Sequence, residues 1–290
     1  MNTKFPPNRV LLFLLCISLN IFKVDAQPGQ FDSSFNGNGR AFTGTPDDQL
    51  FAHTSILQPD GKLIVAGESY TSFEHACLVR YNLNGSLDEG FGTGGNVKTD
   101  FLNEVDRFYA LAVLKNGKII AGDTNGWSGA PQHGILALYH PNGKPDSSFG
   151  VFGKLILDFG AGPLGSATIS DVEELPNGNS KVIGSTRLAT SLYPKKIIAQ
   201  LKPTGLIDSM FGINGIADMV YDSRGLRAGV QHDGKVIFTN TRNLDGVNHF
   251  EVSRYLFNGE QDLTFNNKRI CQHGCFQPRR NSPWGCGSSQ

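Results

Sequence analysis

The chain has 290 residues, and its 26 Lys and Arg balance 26 Asp and Glu to a formal net charge of zero. That balance removes the simplest electrostatic case for a nucleic-acid or anionic-membrane partner, which needs a basic excess or a basic stripe. Charged residues make up 18% of the chain, hydrophobic residues 39%, and 35 residues are glycine, a globular and glycine-rich composition that excludes disorder and fibres.

Residues 1–26 read as a secretory signal peptide. Lys4 and Arg9 precede an apolar run from Val10 to Phe22, and Val24-Asp25-Ala26 supplies a small-x-small exit before Gln27. The run, about 13 residues, is shorter than the ~20 needed to span a bilayer. Cleavage is expected after Ala26, giving a secreted, periplasmic or cell-surface protein with no membrane span in the mature chain. Cys16 invites a lipoprotein reading, but Leu15 stands where such signals want a small residue.

Residues 27–266 form one repeat domain. An Asp followed three residues later by Phe occurs as Asp32 and Phe35, Asp88 and Phe91, Asp146 and Phe149, Asp208 and Phe211, and Asp262 and Phe265. The aspartates stand roughly 54 to 62 residues apart, a period that indicates a stacked or radial array. A turn glycine keeps the same beat at Gly61, Gly117, Gly178 and Gly234, as does a second one at Gly85, Gly143, Gly205 and Gly259. The units run over 32–87, 88–145, 146–207 and 208–265.

Within each unit the pattern predicts four short strands. The first follows the Asp-x-x-Phe element, as in Asn96 to Phe101. A second, such as Thr54 to Gln58 or Ala110 to Leu114, leads into an Asp-Gly or Asn-Gly hairpin turn. A third leaves at once (Lys62 to Ala66, Lys118 to Ala121), and a fourth follows a variable loop (Cys77 to Tyr81, Ile135 to Tyr139). No segment keeps a helical period. The fold class is therefore all-β, a β-propeller-like array of about four four-stranded antiparallel blades, with a β-solenoid as the rival. Four blades lie at the lower limit for a ring; an incomplete ring leaves unpaired strand edges open to self-association.

Leu87-Asp88-Glu89-Gly90-Phe91-Gly92-Thr93-Gly94-Gly95, Asp60 to Gly67 and Arg80 to Gly85 together resemble the delta-60 repeat family, over roughly residues 31–265. The resemblance implies a secreted bacterial protein of β-propeller type, of a kind frequent in Bacteroidetes-like organisms and without an established catalytic activity. The tail, 267–290, departs from the pattern. It carries Cys271, Cys275 and Cys286 where a fifth unit should begin. A frameshift or truncation, or else a capping or disulfide-bonded tail, accounts for the switch.

Few residues point to chemistry, and no catalytic residue, metal ligand or cofactor is expected. The repeated Asp reads as a turn-capping group ahead of a Phe that packs between blades, in preference to a column of cation ligands. The Arg80 position becomes Leu138 and Gln200 in the middle units and returns as Arg254, which reads as a strand surface site. No histidine pair has ligand spacing, and no Gly-x-Ser-x-Gly elbow is present. Function on such a scaffold is expected in the variable loops at one rim, among them Gly67 to Ala76 and Asp123 to Gly134. In the second, Trp127 among small polar residues is the candidate for stacking on a sugar or peptide, with a Trp folded over the blade edge as the bland alternative. The expected role is a non-catalytic binding module for a glycan or protein. The alternatives are a propeller-type carbohydrate hydrolase or lyase, which needs ionisable groups of different units to converge, and a fragment of a longer repeat protein.

Overall fold

The computed structural model describes residues 29–71, 74–101, 105–126, 132–162, 165–190, 194–219, 224–244 and 246–265. The expected signal peptide, Trp127 and the 267–290 tail lie outside the described residues. Every described element is a strand.

The first sheet holds β1 (Gln49–Leu57), β2 (Leu63–Tyr70), β3 (Glu74–Tyr81) and β4 (Asn96–Thr99), paired antiparallel in that order. The second holds β5 (Ala110–Val113), β6 (Ile119–Asn125), β7 (His133–Tyr139) and β8 (Lys154–Leu157). The third holds β9 (Ser166–Glu174), β10 (Ser180–Arg187), β11 (Lys195–Leu201) and β12 (Ile216–Met219). β13 (Arg224–Val230), β14 (Val236–Leu244) and β15 (Val247–Tyr255) form the fourth, which has three strands among the described residues where four were expected. The fold is all-β and propeller-like, and among the described residues the array does not close into a ring.

The sheets keep the sequence period but stand one strand out of phase with it. β4, β8 and β12 each follow an Asp-x-x-Phe turn, yet each completes the sheet that precedes the turn. The backbone explains why. Asp88 N–H donates to the Arg80 carbonyl at 2.9 Å, so the chain doubles back along β3. Arg80 N–H then donates to the Gly95 carbonyl at 3.1 Å, and Asn96–Thr99 pairs with β3.

These turns also lock neighbouring sheets. Gly92 N–H donates to the Asn142 carbonyl of the second sheet at 2.8 Å, and Gly150 and Gly212 repeat the contact with Thr204 at 2.9 Å and Asn258 at 2.8 Å. Each preceding Phe presses on a turn glycine. A Cβ on Gly143 would lie 3.0 Å from the Phe91 ring, and one on Gly259 would lie 2.9 Å from Phe211. Phe91, Phe149 and Phe211 are at most 2% exposed, a burial that stabilises by roughly 1.5–3 kcal/mol each. The core continues between the sheets. Ile64, Ala66 and Leu78 of the first meet Ile119, Ile135 and Tyr139 of the second. Leu136 and Leu138 meet Val182 and Ile197, and Ile183 and Ile198 meet Val236 and Phe238.

The aspartates serve the turns. Asp88 accepts from the Gly90 N–H through Oδ1 at 3.3 Å, and through Oδ2 from Lys62 and Arg80, both at 2.8 Å. Asp146 takes the Ser148 N–H at 3.0 Å and the Lys118 ammonium at 2.5 Å. Burial opposes its charge, but Lys118 and Ser148 prevail and hold the Asp146 carboxyl down to about 2.

The Arg80 position needs correcting. It is a buried junction site, not a strand surface: Arg80 is 8% exposed, Leu138 3% and Gln200 7%. The Arg80 guanidinium lies 4.4 Å over the Phe91 ring and donates to the Pro141 carbonyl of the next sheet at 2.5 Å. Where Gln200 stands instead, the cation moves to the adjacent strand. Lys181, at the position held elsewhere by Ile64, Ile120 and Ile237, is fully buried, with Nζ 3.1 Å above the Phe211 ring. It donates to the Phe257 carbonyl of the fourth sheet at 3.3 Å. In the second sheet Leu138 stands at this position, and Asp146 is paired by Lys118. A cation thus lies over Phe91 and over Phe211 from different strands, whereas the second junction has Leu138 and Ile120 at the two corresponding positions.

Candidate functional site at the rim of the first two sheets

The ends of β2 and β6 lie at the same rim, and residues 105–109 bridge them. Phe108 N–H donates to the Gly67 carbonyl at 3.2 Å, Tyr109 N–H to the Gly122 carbonyl at 3.0 Å, and Gly126 N–H to the Val105 carbonyl at 3.0 Å. Asp106, fully buried, anchors the bridge by accepting the Phe101 N–H at 2.5 Å. These bonds place Arg107 and Tyr109 between the ends of β2 and β6.

His53 arrives by a bulge. In the β1–β2 ladder Ala52 pairs with Gly67 and Thr54 with Ala66, leaving His53 as the extra residue. Bulges re-aim side chains in this way at sheet edges and near sites. The His53 ring stacks on Tyr109 with centroids 3.9 Å apart and planes 9° apart. Its Nε2 lies 3.6 Å from Glu68 Oε2. Arg107 pairs with Glu68 on β2 and with Glu74 on β3, the latter at 2.9 Å. Tyr109 keeps 46% of its surface exposed.

Asp123, on β6, completes the group. Part of its side chain meets solvent, yet the protein around it disfavours the charged form more than Arg107 and the Thr124 amide favour it, and its carboxyl is pushed up to about 8. At neutral pH it carries a proton, whereas Arg107 keeps its charge, because Glu74 and Glu68 outweigh the burial that opposes it. The Tyr109 hydroxyl is raised too, by burial and then by Glu68. The result is a half-exposed aromatic face, backed by an imidazole and ringed by a guanidinium, ion-paired carboxylates and a neutral carboxyl donor.

Two units of sequence supply this cluster, β1–β3 from the first and the 105–109 bridge with β6 from the second. Sequence reasoning identified the two loops but none of these side chains. The fold turns His53 onto Tyr109. The only available signal was the aromatic and charged composition of Asp106-Arg107-Phe108-Tyr109. Trp127, the sequence candidate, follows Asn125 and Gly126 in the loop after β6, outside the described residues. The repeated aspartates lie in their turns away from this rim.

Two other features are distinct from the cluster. His75, Asp100 and Asp106 bring ligand-type atoms within 4.8 Å of one another below the bridge. A cleft of about 610 Å³ lies at the outer edge, between β4 and the turn at Gly143, Lys144 and Pro145, with the Asp48–Lys98 pair in it.

The family described as a domain of unknown function (DUF5122) beta-propeller matches residues 58–91 and 114–149, in agreement with a propeller-type repeat. No curated protein matches the chain. Among solved structures, the chain is similar to a protein of unknown function from Dyadobacter fermentans (13% identity, TM-score 0.42), covering 71% of this chain and 59% of that one. It is also similar to an endo-arabinase from Bacteroides thetaiotaomicron (11% identity, TM-score 0.42), covering 77% and 83%. A third is the GH93 α-L-arabinofuranosidase of Fusarium graminearum (10% identity, TM-score 0.46), covering 76% and 69%. At these values the likenesses say nothing of activity.

Proposed function

We propose that the chain is an exported, non-catalytic repeat scaffold of the delta-60 type that binds a glycan at the rim between its first two sheets. The observation that carries this reading is Tyr109, an aromatic face left half-exposed by a rigid bridge and surrounded by fixed hydrogen-bonding groups. A sugar ring offers C–H bonds to an aromatic face and hydroxyls to carboxylates and guanidinium, so such a platform suits it. Arg107, held by Glu68 and Glu74, is oriented before any ligand arrives, which lowers the entropic cost of binding. Trp127 belongs to the neighbouring loop and is proposed to extend the platform. The test is a glycan array on the mature chain, followed by calorimetry on Tyr109→Ala and Trp127→Ala. Tyr109→Ala is expected to lose about tenfold or more in affinity. Absence of any glycan binding, or unchanged affinity in Tyr109→Ala, overturns the reading.

A second reading, a propeller-type carbohydrate hydrolase or lyase, is favoured by Asp123. A protonated carboxyl beside an ionised one is the arrangement acid–base chemistry needs. Sugar release from a bound polysaccharide, abolished in Asp123→Asn with binding retained, would select this reading over the first.

A further inference from the structure

We propose that residues 31–43 cap the first sheet by imitating the end of a preceding one, and that the fourth sheet of a second copy of this chain competes for the same seat.

Within the array, each junction between sheets has two halves. One half is a sheet face carrying the Phe of an Asp-x-x-Phe turn, with an Arg or Lys over that Phe at the first and third junctions. The other is the next sheet's Asn-Gly or Thr-Gly turn, which receives that Phe. The first sheet presents a receiving half at Asn84 and Gly85. Residues 31–39 already occupy it: Asn36 N–H donates to the Asn84 carbonyl at 2.7 Å, the counterpart of the Gly92 to Asn142 bond. The Phe35 ring lies where a Cβ on Gly85 would be, 2.9 Å away. Ala41, Phe42 and Thr43 then cross the outer face of the sheet above Val65, Cys77 and Val79. These correspond to Ala121, Ile135 and Ala137, the second-sheet residues that pack on the first sheet.

The cap is weaker than the contact it copies. Phe35 is only half-buried, whereas its three counterparts are at most 2% exposed. The bond described for Asp32 is local, to the Ser34 N–H at 2.8 Å, where Asp88, Asp146 and Asp262 hold a Lys or Arg. A cavity of about 180 Å³ remains under residues 41–43, and Phe42 is 84% exposed.

The fourth sheet presents the other half, complete. Asp262 accepts from Arg254 Nε at 2.8 Å, and the Arg254 guanidinium lies 4.5 Å over the Phe265 ring, as Arg80 does over Phe91. Yet among the described residues no sheet packs on this face. Val252 is 51% exposed and Phe250 82%, while Leu78, Leu136 and Ile198, the counterparts of Val252, are all fully buried. Among the described residues, the chain thus carries one uncovered projecting face and one receiving face filled by a poor substitute. A second copy offers a partner that matches both in register. Such head-to-tail contacts propagate into a ring or a filament once the substitute is displaced.

Phe35→Asp in the full mature chain unseats the cap at a half-buried position. Light scattering on eluting fractions from roughly 10 to 500 μM is the readout. The expected result is a monomeric parent chain, concentration-dependent assembly of Phe35→Asp, and return to monomer in Phe35→Asp with Val252→Asp, all three keeping the same far-ultraviolet spectrum. A monomeric Phe35→Asp overturns the proposal. So does assembly that ignores Val252→Asp, or a parent chain that already assembles through Val252.

Discussion

Replacing Lys181 by Met asks what the buried ammonium contributes to the junction of the third and fourth sheets. Burial pushes this lysine down from an ordinary 10.5 to about 7, against a smaller opposing pull from Asp208. A depressed ammonium means that the unfolded chain binds the extra proton between about pH 7 and 10.5, so stability rises with pH across that window. Below it the penalty for holding the charge is constant at roughly 4–5 kcal/mol; between about pH 7 and 9 it shrinks by about 2 kcal/mol. Met has similar length and no charge, so it keeps the packing over Phe211 and gives up the bond to the Phe257 carbonyl, a loss of about 1–2 kcal/mol. Lys181→Met should therefore be more stable than the parent near pH 7, with an advantage that falls by about 2 kcal/mol by pH 9. Guanidinium unfolding of both chains at matched pH values measures the difference, from which the titrations of other groups cancel. An advantage that stays constant or grows with pH would refute the assignment of a strained, buried ammonium at this junction.

Two other outcomes follow from single side chains. Gly215 sits at φ +89°, and a Cβ there would meet Ile207 Cγ2 at 2.0 Å, so Gly215→Ala should cost about 1–3 kcal/mol in denaturant unfolding. Asp123, raised by burial from an ordinary 3.8 to about 8, should weaken the fold as pH rises from about 4 to 8, because the unfolded chain loses its proton first. Since the side chain is partly solvated, about 1–2 kcal/mol of that slope is expected in the parent, and Asp123→Asn should lack it.

The period of the repeat and the hairpins were legible in the residues. Asn-Gly and Asp-Gly pairs demand positive φ, and Gly61, Gly117, Gly178 and Gly234 adopt it at 78° to 83°. Alternation of apolar residues made the strands readable, though β1 and β2 run several residues longer than their apolar cores suggested. Which strands share a sheet was not legible, because pairing depends on a chain reversal at Asp-x-x-Phe that leaves no mark in local propensity. The Arg80 position misled for a related reason. A junction cation can come from either of two adjacent strands, as Arg80 and Lys181 show, or be replaced by apolar residues, as Leu138 and Ile120 show.

The rim cluster illustrates the same division. Residue types alone determined that this chain builds similar sheets at a steady interval and joins them by glycine turns, since those properties rest on contacts between near neighbours. Only the folded arrangement decided that His53, Glu68, Arg107, Tyr109 and Asp123 meet, and that residues 31–43 cover one end of the array while no described sheet packs on the other. Those facts depend on a one-residue bulge, a five-residue bridge and the packing of surfaces far apart along the chain. Their energies come from burial and charge in three dimensions, which no stretch of sequence carries by itself.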